Sequence, residues 1–427
     1  MRKSQAERLI LFILVLVLSA LGVGAERINR SLQIPVIADI SFWLLVASII
    51  LFVLLILEYL LSNRIFRGFR YFLHYRSVKN SLEHQLLDAG YGIQRSYYIE
   101  LPKIKLSFDK DIKSGILKVR NCMKFDNKLD KAAISAGLGK FFVERHYLSD
   151  DCNHYHYHFL DGSVSFKQTF NTFQDFLKHS KTIPTYKLFL DKRTIVKLQS
   201  TLIIGITGGG KTYAVYNILL QMLNKEEVLF ETFVADPKGS SLSIAHSVIG
   251  SISEERTAVE ADKIIELLEE FVNLMRERKS ELKERLRSKV DADYSDFGLK
   301  PYVFLFDEYA SFATAKMDKS AKDKAKALLY ECILQGRQLG FHIMLIMQKS
   351  DATLIDTALR DNIPLKIVLG ASEPQTYVTA FGAGVATNRH YEIGEGVFTE
   401  PTLAPQPKLV QFPYLGFDIL EALQEPP

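Results

Sequence analysis

Cysteine, tryptophan and net charge are all scarce in this 427-residue sequence: three Cys, one Trp and a formal balance of +4. Cys122, Cys152 and Cys332 are odd in number and scattered, which excludes a disulfide framework and suits a reducing compartment. The small net charge excludes naming a polyanionic partner from overall electrostatics; only local patches can argue for one. With 48% hydrophobic and 24% charged residues, wholesale disorder is excluded as well. The length exceeds one small core and suits an anchor plus one or two folded domains.

Glycine, by contrast, is concentrated where it has a chemical use. Thr201–Ile204 reads as a buried strand and Tyr213–Leu223 as a helix. Between them stands Gly205-Ile206-Thr207-Gly208-Gly209-Gly210-Lys211-Thr212, a fit to G-x-x-x-x-G-K-[ST] in the strand–loop–helix context that this pattern requires. Glycines let successive backbone N–H groups turn toward phosphate oxygens, and the following helix adds its positive end. Lys211 is placed to reach the β- and γ-phosphates of ATP, and Thr212 offers a hydroxyl to Mg²⁺. A chance glycine-rich turn becomes hard to sustain beside a second element. Tyr302–Phe306 is a continuous apolar run of the kind buried on both faces of a parallel sheet, and it ends in Asp307-Glu308. Asp307 suits the Mg²⁺ shell, and Glu308 suits orienting or deprotonating a water. Further strands are expected at Val228–Ala235, His342–Met347 and Leu365–Leu369, with helical segments between them. This alternation predicts an α/β fold: a RecA-like core whose parallel sheet carries its chemistry at the strand C-terminal ends. Gln348 falls just past one such end.

Apolar sequence is heaped at the start. Leu9–Ala25 follows a basic Arg2-Lys3 head, and Ile40–Leu61 follows with one charge, Glu58, near its far end. About 20 apolar residues cross a hydrocarbon core, so both runs qualify. A cleavable signal peptide ending at the small residues near Ala25 is the competing reading. It would leave the nucleotide motif beyond the second span, away from cytoplasmic ATP. Arg64, Arg67, Arg70, Arg76 and Lys79 crowd behind the second run, whereas Arg27 and Arg30 between the runs are offset by Glu26 and Asp39. The positive-inside bias therefore predicts a transmembrane hairpin over residues 1–63, in the cell membrane, with the N-terminus and the nucleotide domain in the cytoplasm.

Residues 64–184 predict a small mixed α/β or β-rich domain, and 185–427 the motor domain. Within the former, Cys152, His154, His156 and His158 share strand parity. Four such positions spread over about 20 Å and do not converge on a tetrahedral zinc, so the expected arrangement has Tyr155, Tyr157 and Phe159 inward and the histidines outward.

From about Lys187 to Phe398 the chain resembles the FtsK/SpoIIIE-type DNA translocases, closest to the coupling proteins of Gram-positive integrative conjugative elements. The resemblance rests on Gly205–Tyr213, Ala235-Asp236-Pro237-Lys238, Phe306-Asp307-Glu308-Tyr309, Gly336-Arg337-Gln338-Leu339-Gly340-Phe341-His342 through Gln348, Leu359-Arg360-Asp361-Asn362-Ile363-Pro364, and the glycine-containing last strand Glu392–Phe398. It implies a homo-hexameric ring around DNA bound without sequence preference, ATP at subunit interfaces, and an arginine reaching a neighbour's γ-phosphate. Arg337 matches that position best, with Arg360 second. Gln348 is then the γ-phosphate sensor, and the cofactor-binding set runs from Gly205 to Tyr213. The family's Arg-Pro after the glutamine is Lys349-Ser350 here, and Phe412–Pro427 leaves no room for a sequence-reading winged-helix domain.

The function implied is an ATP-driven DNA translocase serving as a coupling protein, with a relaxase and secretion-channel proteins as partners. A double-stranded chromosome or plasmid translocase, an ATPase energising protein secretion, and a membrane scaffold with a decayed site are the alternatives; intact Lys211, Thr212, Asp307 and Glu308 count against the last. Lys316, Lys319, Lys322, Lys324 and Lys326 are candidates for a DNA channel or for a solvated helix face. Glu254–Ser288 reads as one long salt-bridged helix.

Overall fold

A computed structural model describes residues 3–424 apart from 126–127, 130–131, 133, 224–229, 241, 243–251, 287–291, 349–354, 371 and 383–389. Two compact units, Met1–Val164 and Ser165–Pro427, each enclose a hydrophobic core of their own.

In the first unit the two apolar runs become helices α1 (Lys3–Leu32) and α2 (Pro35–Ser62), both long and apolar enough to cross a membrane. Gln33 at φ +51° reverses the chain, and Pro35 opens α2 with its φ already helical. The helices approach closely at Gly22, where a Cβ would stand 2.8 Å from Leu45 Cγ, and Ser41 donates to the Gly22 carbonyl at 3.0 Å. At the other end Arg8 forks onto Glu58 at 3.1 and 3.2 Å and donates to Ser62 at 3.0 Å.

Helix α3 (Phe69–Asp88) then packs Tyr71, Tyr75, Val78, Leu82 and Leu86 on a four-stranded antiparallel sheet. Its strands β1 (Ile104–Phe108), β2 (Ser114–Arg120), β3 (Phe141–Leu148) and β4 (His154–Asp161) lie in the order β1-β2-β4-β3. Tyr155, Tyr157 and Phe159 are buried and the intervening histidines half-buried, as strand parity predicts. Cys152 stands apart from them, in the turn before β4 with φ +55°.

The second unit opens at Ser165, twenty residues before the boundary expected at 185. Phe170, Phe173, Phe176, Leu177 and Ile183 explain the difference, because all five are buried in the motor's own core. The helix Phe173–Ser180 that carries three of them is capped by Thr172, which accepts from the Asp175 N–H at 3.2 Å.

The main sheet has eight strands: β5 (Thr201–Gly205), β6 (Glu231–Ala235), β7 (Thr257–Ala258), β8 (Tyr302–Phe306), β9 (Phe341–Met347), β10 (Leu365–Leu369), β11 (Glu395–Glu400) and β12 (Ala404–Gln411), in the order β7-β6-β8-β9-β5-β10-β11-β12. The first six of that order are mutually parallel, and β11 and β12 add an antiparallel edge. The expected parallel core is thus bordered at one edge by an antiparallel pair. Residues 401–403 alone join β11 to β12, far too few for a crossover, so that pair must be antiparallel.

The single helix expected over Glu254–Ser288 is also corrected. Glu254–Arg256 is a 3₁₀ turn, Thr257 and Ala258 pair with Val234 and Ala235 at the sheet edge, and α5 runs only over Ala261–Leu286. Residues 287 and 288, like 228 and 229 of the expected strand before β6, lie outside the described residues.

Candidate nucleotide site

Strand β5 is buried throughout and ends at Gly205; helix α4 (Lys211–Leu223) starts six residues on, so the loop between must turn sharply. Gly208 (φ +79°) and Gly210 (φ +93°) supply the left-handed turns that other residues resist. Lys211 folds back and donates from Nζ to the Gly205 carbonyl at 2.7 Å. Burial lowers the Lys211 pKa, opposed by the charges of Glu308 and Asp307.

A second turn rests on this loop. Gly394 N–H donates to the Gly209 carbonyl at 3.1 Å, and a Cβ on Gly210 would lie 2.4 Å from that same nitrogen. The turn is held from behind by Phe412 N–H on the Gly394 carbonyl (2.8 Å) and by Lys167 Nζ on the Ile393 carbonyl (2.9 Å).

Strand register delivers the acids. Ala235 of β6 pairs with Phe306 of β8, so Asp236 and Asp307 leave the C-terminal edge side by side. Ser240 Oγ sits between them, 2.7 Å from Asp236 Oδ2 and 3.1 Å from Asp307 Oδ2. Burial, with the adjacent Asp236 charge, raises the Asp307 pKa above the usual carboxylate range. Glu308 is buried with its backbone in the left-handed region (φ +48°, ψ +58°), a conformation that costs a non-glycine residue about 1–3 kcal/mol. Its carboxylate pairs with Lys238 Nζ at 3.2 Å and accepts from the Gln348 N–H at 3.4 Å.

These groups line one cleft of about 400 Å³, walled by Thr207, Gly208, Gly210, Lys211, Thr212, Tyr213, Lys238, Ser240, Asp307, Glu308, Gln348 and Ile393. The residues fit a nucleotide with its magnesium. Glycine turns leave room for phosphate, Lys211 supplies a cation, and Thr212 is exposed at the head of α4. The crowded Asp236–Asp307 pair is the kind of desolvated acid that a divalent cation relieves. Thr212 and Asp307 would hold that ion.

Gln348 therefore joins the site, but the two arginines do not. Arg337 is exposed in the last turn of α6 (Lys319–Leu339), beside a separate cavity of about 610 Å³ lined by Lys279, Asp293, Gln338 and others. Because α6 leads straight into β9, Arg337 lies at the N-terminal edge of the sheet and Gln348 past its C-terminal edge, roughly 20 Å of strand away. Arg360 is engaged locally, pairing with Asp361 at 2.7 Å and donating to the Thr379 carbonyl at 3.1 Å.

Of the lysines after β8, Lys324 pairs with Glu269 at 2.5 Å and Lys326 with Asp356 at 2.6 Å, as a solvated helix face would. Arg276 of α5 likewise forks onto Glu331 of α6 at 2.6 and 2.8 Å. Residues 349 and 350, which depart from the family's Arg-Pro, lie outside the described residues.

Sequence reasoning missed Lys238 and Ser240 as neighbours of the acids. The available signal was a polar Asp-Pro-Lys-Gly-Ser stretch at the end of a strand buried like β8.

Fold and cleft together define a P-loop nucleoside-triphosphatase core of the RecA-like α/β kind. No protein-family model matches the chain. Among curated proteins it is similar to the Ftsk domain-containing protein YdcQ of Bacillus subtilis (strain 168), 29% identical over 186 residues, and to DNA translocase FtsK of Lactococcus lactis subsp. cremoris (strain MG1363), 25% identical over 245 residues. Those matches span 44% and 54% of this chain but only 37% and 31% of the relatives' own lengths. Among solved structures it shares its fold with the pCW3 conjugation coupling protein TcpA in its monomer form with ATPγS: TM-score 0.50, 14% identity, 79% of this chain and 95% of that one.

Proposed function

We propose that this chain is a membrane-anchored, ATP-driven DNA translocase of the FtsK/SpoIIIE type, acting as the coupling protein that brings relaxase-bound DNA to a conjugative secretion channel. The observation that carries the reading is one cleft uniting Lys211, Thr212, Asp307, Glu308 and Gln348 in a motor similar in sequence to FtsK-domain proteins. The apolar α1–α2 hairpin followed by Arg64, Arg67 and Arg70 supports the membrane assignment, with the motor on the cytoplasmic side.

In this mechanism Lys211 exchanges the Gly205 carbonyl for phosphate oxygens, and the turned backbone of Gly208–Gly210 cradles them. A magnesium ion bound by Thr212 and Asp307 would neutralise phosphate charge. Glu308 takes the proton of the attacking water, and Gln348 senses the γ-phosphate from the adjoining strand end. Lys238 holds the Glu308 carboxylate by an ion pair, so Glu308 must leave that contact to act as a base. In a homo-hexameric ring, Arg337, exposed and remote from its own cleft, completes a neighbour's site; Arg360 would first have to break its pair with Asp361.

Phosphate release measured with single-stranded DNA, duplex DNA and no DNA tests this. DNA is expected to raise turnover, and Lys211→Ala to abolish it. Stimulation by a secretion substrate protein with no response to either DNA sinks the DNA-motor reading.

A further inference from the structure

The outer face of the four-stranded sheet in the first unit is the opposite of its aromatic inner face. Cross-strand registers place Lys105 beside Lys118, Lys118 beside His156, and His156 beside Tyr147, a continuous row over all four strands. Adjoining rows bring Arg120 next to His154 and His158 next to Arg145.

The Tyr147 hydroxyl lies 3.3 Å from His158 Nε2 and 3.4 Å from His156 Nδ1, and the Tyr147 and His158 rings stack with centroids 5.6 Å apart. Lys105 and Arg120 are exposed, and the rest of the face is half-buried. Elsewhere in this unit Arg95 and Lys140 hold Glu100 and Asp161. Lys105, Lys118, Arg120 and Arg145 form no ion pair among the described residues. Acids flank the face in the chain: Glu144 at the β3 bulge, and Asp150 and Asp151 in the turn before β4. Burial lowers the pKa of His158, and the neighbouring charges of Arg145 and Lys118 lower it further.

We propose that this sheet face is a second nucleic-acid site, outside the motor, that holds single-stranded DNA by its phosphates on Lys118, Arg120 and Arg145 and by base stacking on Tyr147. The ligand class follows from the chemistry. A basic sheet face whose lysines and arginines carry no ion pair among the described residues recruits a polyanion, and an aromatic ring on its edge strand β3 adds sequence-tolerant stacking that an unpaired strand can use and a lipid surface cannot. The proposal rests on the DNA-motor reading for its biological sense.

The full chain in detergent, titrated with a fluorescent oligothymidylate at several salt concentrations, is the test. The triple variant Lys118→Gln, Arg120→Gln, Arg145→Gln is expected to bind roughly tenfold more weakly or worse. Its slope of log affinity against log salt falls by about 2, three phosphate contacts at about 0.7 each. Hydrolysis without DNA stays unchanged, showing an intact fold. Tyr147→Leu weakens binding but leaves the slope alone. In the unaltered chain the oligonucleotide protects Lys105 and Lys118 from acetylation, a readout that decides the matter even if the triple variant does not fold. Unchanged affinity and slope without protection overturn the site; continued DNA stimulation of the motor would then leave the proposed function standing. Lost binding to phosphatidylglycerol vesicles with unchanged oligonucleotide binding overturns it in favour of a membrane-facing role. No DNA binding at all removes both readings.

Discussion

Gly210 shows how little freedom the nucleotide loop has. Its φ of +93° already disfavours any side chain, and a methyl group would press within 2.4 Å of the Gly394 nitrogen, a backbone atom that cannot swing aside. Gly210→Ala is therefore expected to weaken nucleotide binding by roughly tenfold or more, from about 1–3 kcal/mol of backbone strain plus the displaced turn. Fluorescent-nucleotide titration measures it, and unchanged affinity contradicts the contact. The loop and its acids were legible because each is a contiguous motif, and the structure brings both to one cleft. Lys238 and Ser240 were not, because only the β6–β8 register sets Asp236 beside Asp307, and strand order is absent from a linear pattern. The local pairing of Arg360 was illegible for a different reason: its carboxylate is the next residue, and nothing in a motif says which way a guanidinium turns.

Strand β9 illustrates what an element imposes on its residues. It is buried along its whole length, and so the ring of His342 is buried with it, T-stacked on Tyr294 with Nε2 3.3 Å from that hydroxyl. Burial pushes the His342 pKa down from 6.5 to about 3. The folded ring stays neutral where the unfolded one takes a proton. Its contribution is thus intact above pH 6.5 and lost as pH falls toward about 3, at up to about 1.4 kcal/mol per pH unit. His342→Gln should flatten that acid limb in urea titrations run between those limits; a limb of unchanged slope assigns the proton to another group. Apolar runs revealed most strands of the sheet, β9 among them. Strand β12 and the segment from Phe170 to Ile183 escaped; in the latter, two phenylalanines and a leucine on a two-turn helix name no partner until the motor core surrounds them.

At the scale of the assembled molecule, the distance between Arg337 and its own cleft turns into a measurable property. If Arg337 serves a neighbouring subunit, Arg337→Ala lowers turnover by about a thousandfold or more, the usual worth of such a residue. Mixing it with Lys211→Ala protein should then restore activity, because mixed rings pair an intact cleft with an intact arginine. Two inactive pools that stay inactive on mixing, while still co-assembling by size-exclusion chromatography, exclude Arg337 from that role.

The turn at Gly394 fixes how far the motor can be cut down. A fragment trimmed to the familiar motifs, from the P-loop through Gln348 and β10, would keep every group with an assigned role in hydrolysis. It would discard Lys167, Gly394 and Phe412, the clasp that bears on the loop from outside. The shortest excision that keeps the nucleotide loop in its native shape accordingly begins before Lys167 and ends after Phe412, so the outermost stretches of this unit belong to its catalytic minimum.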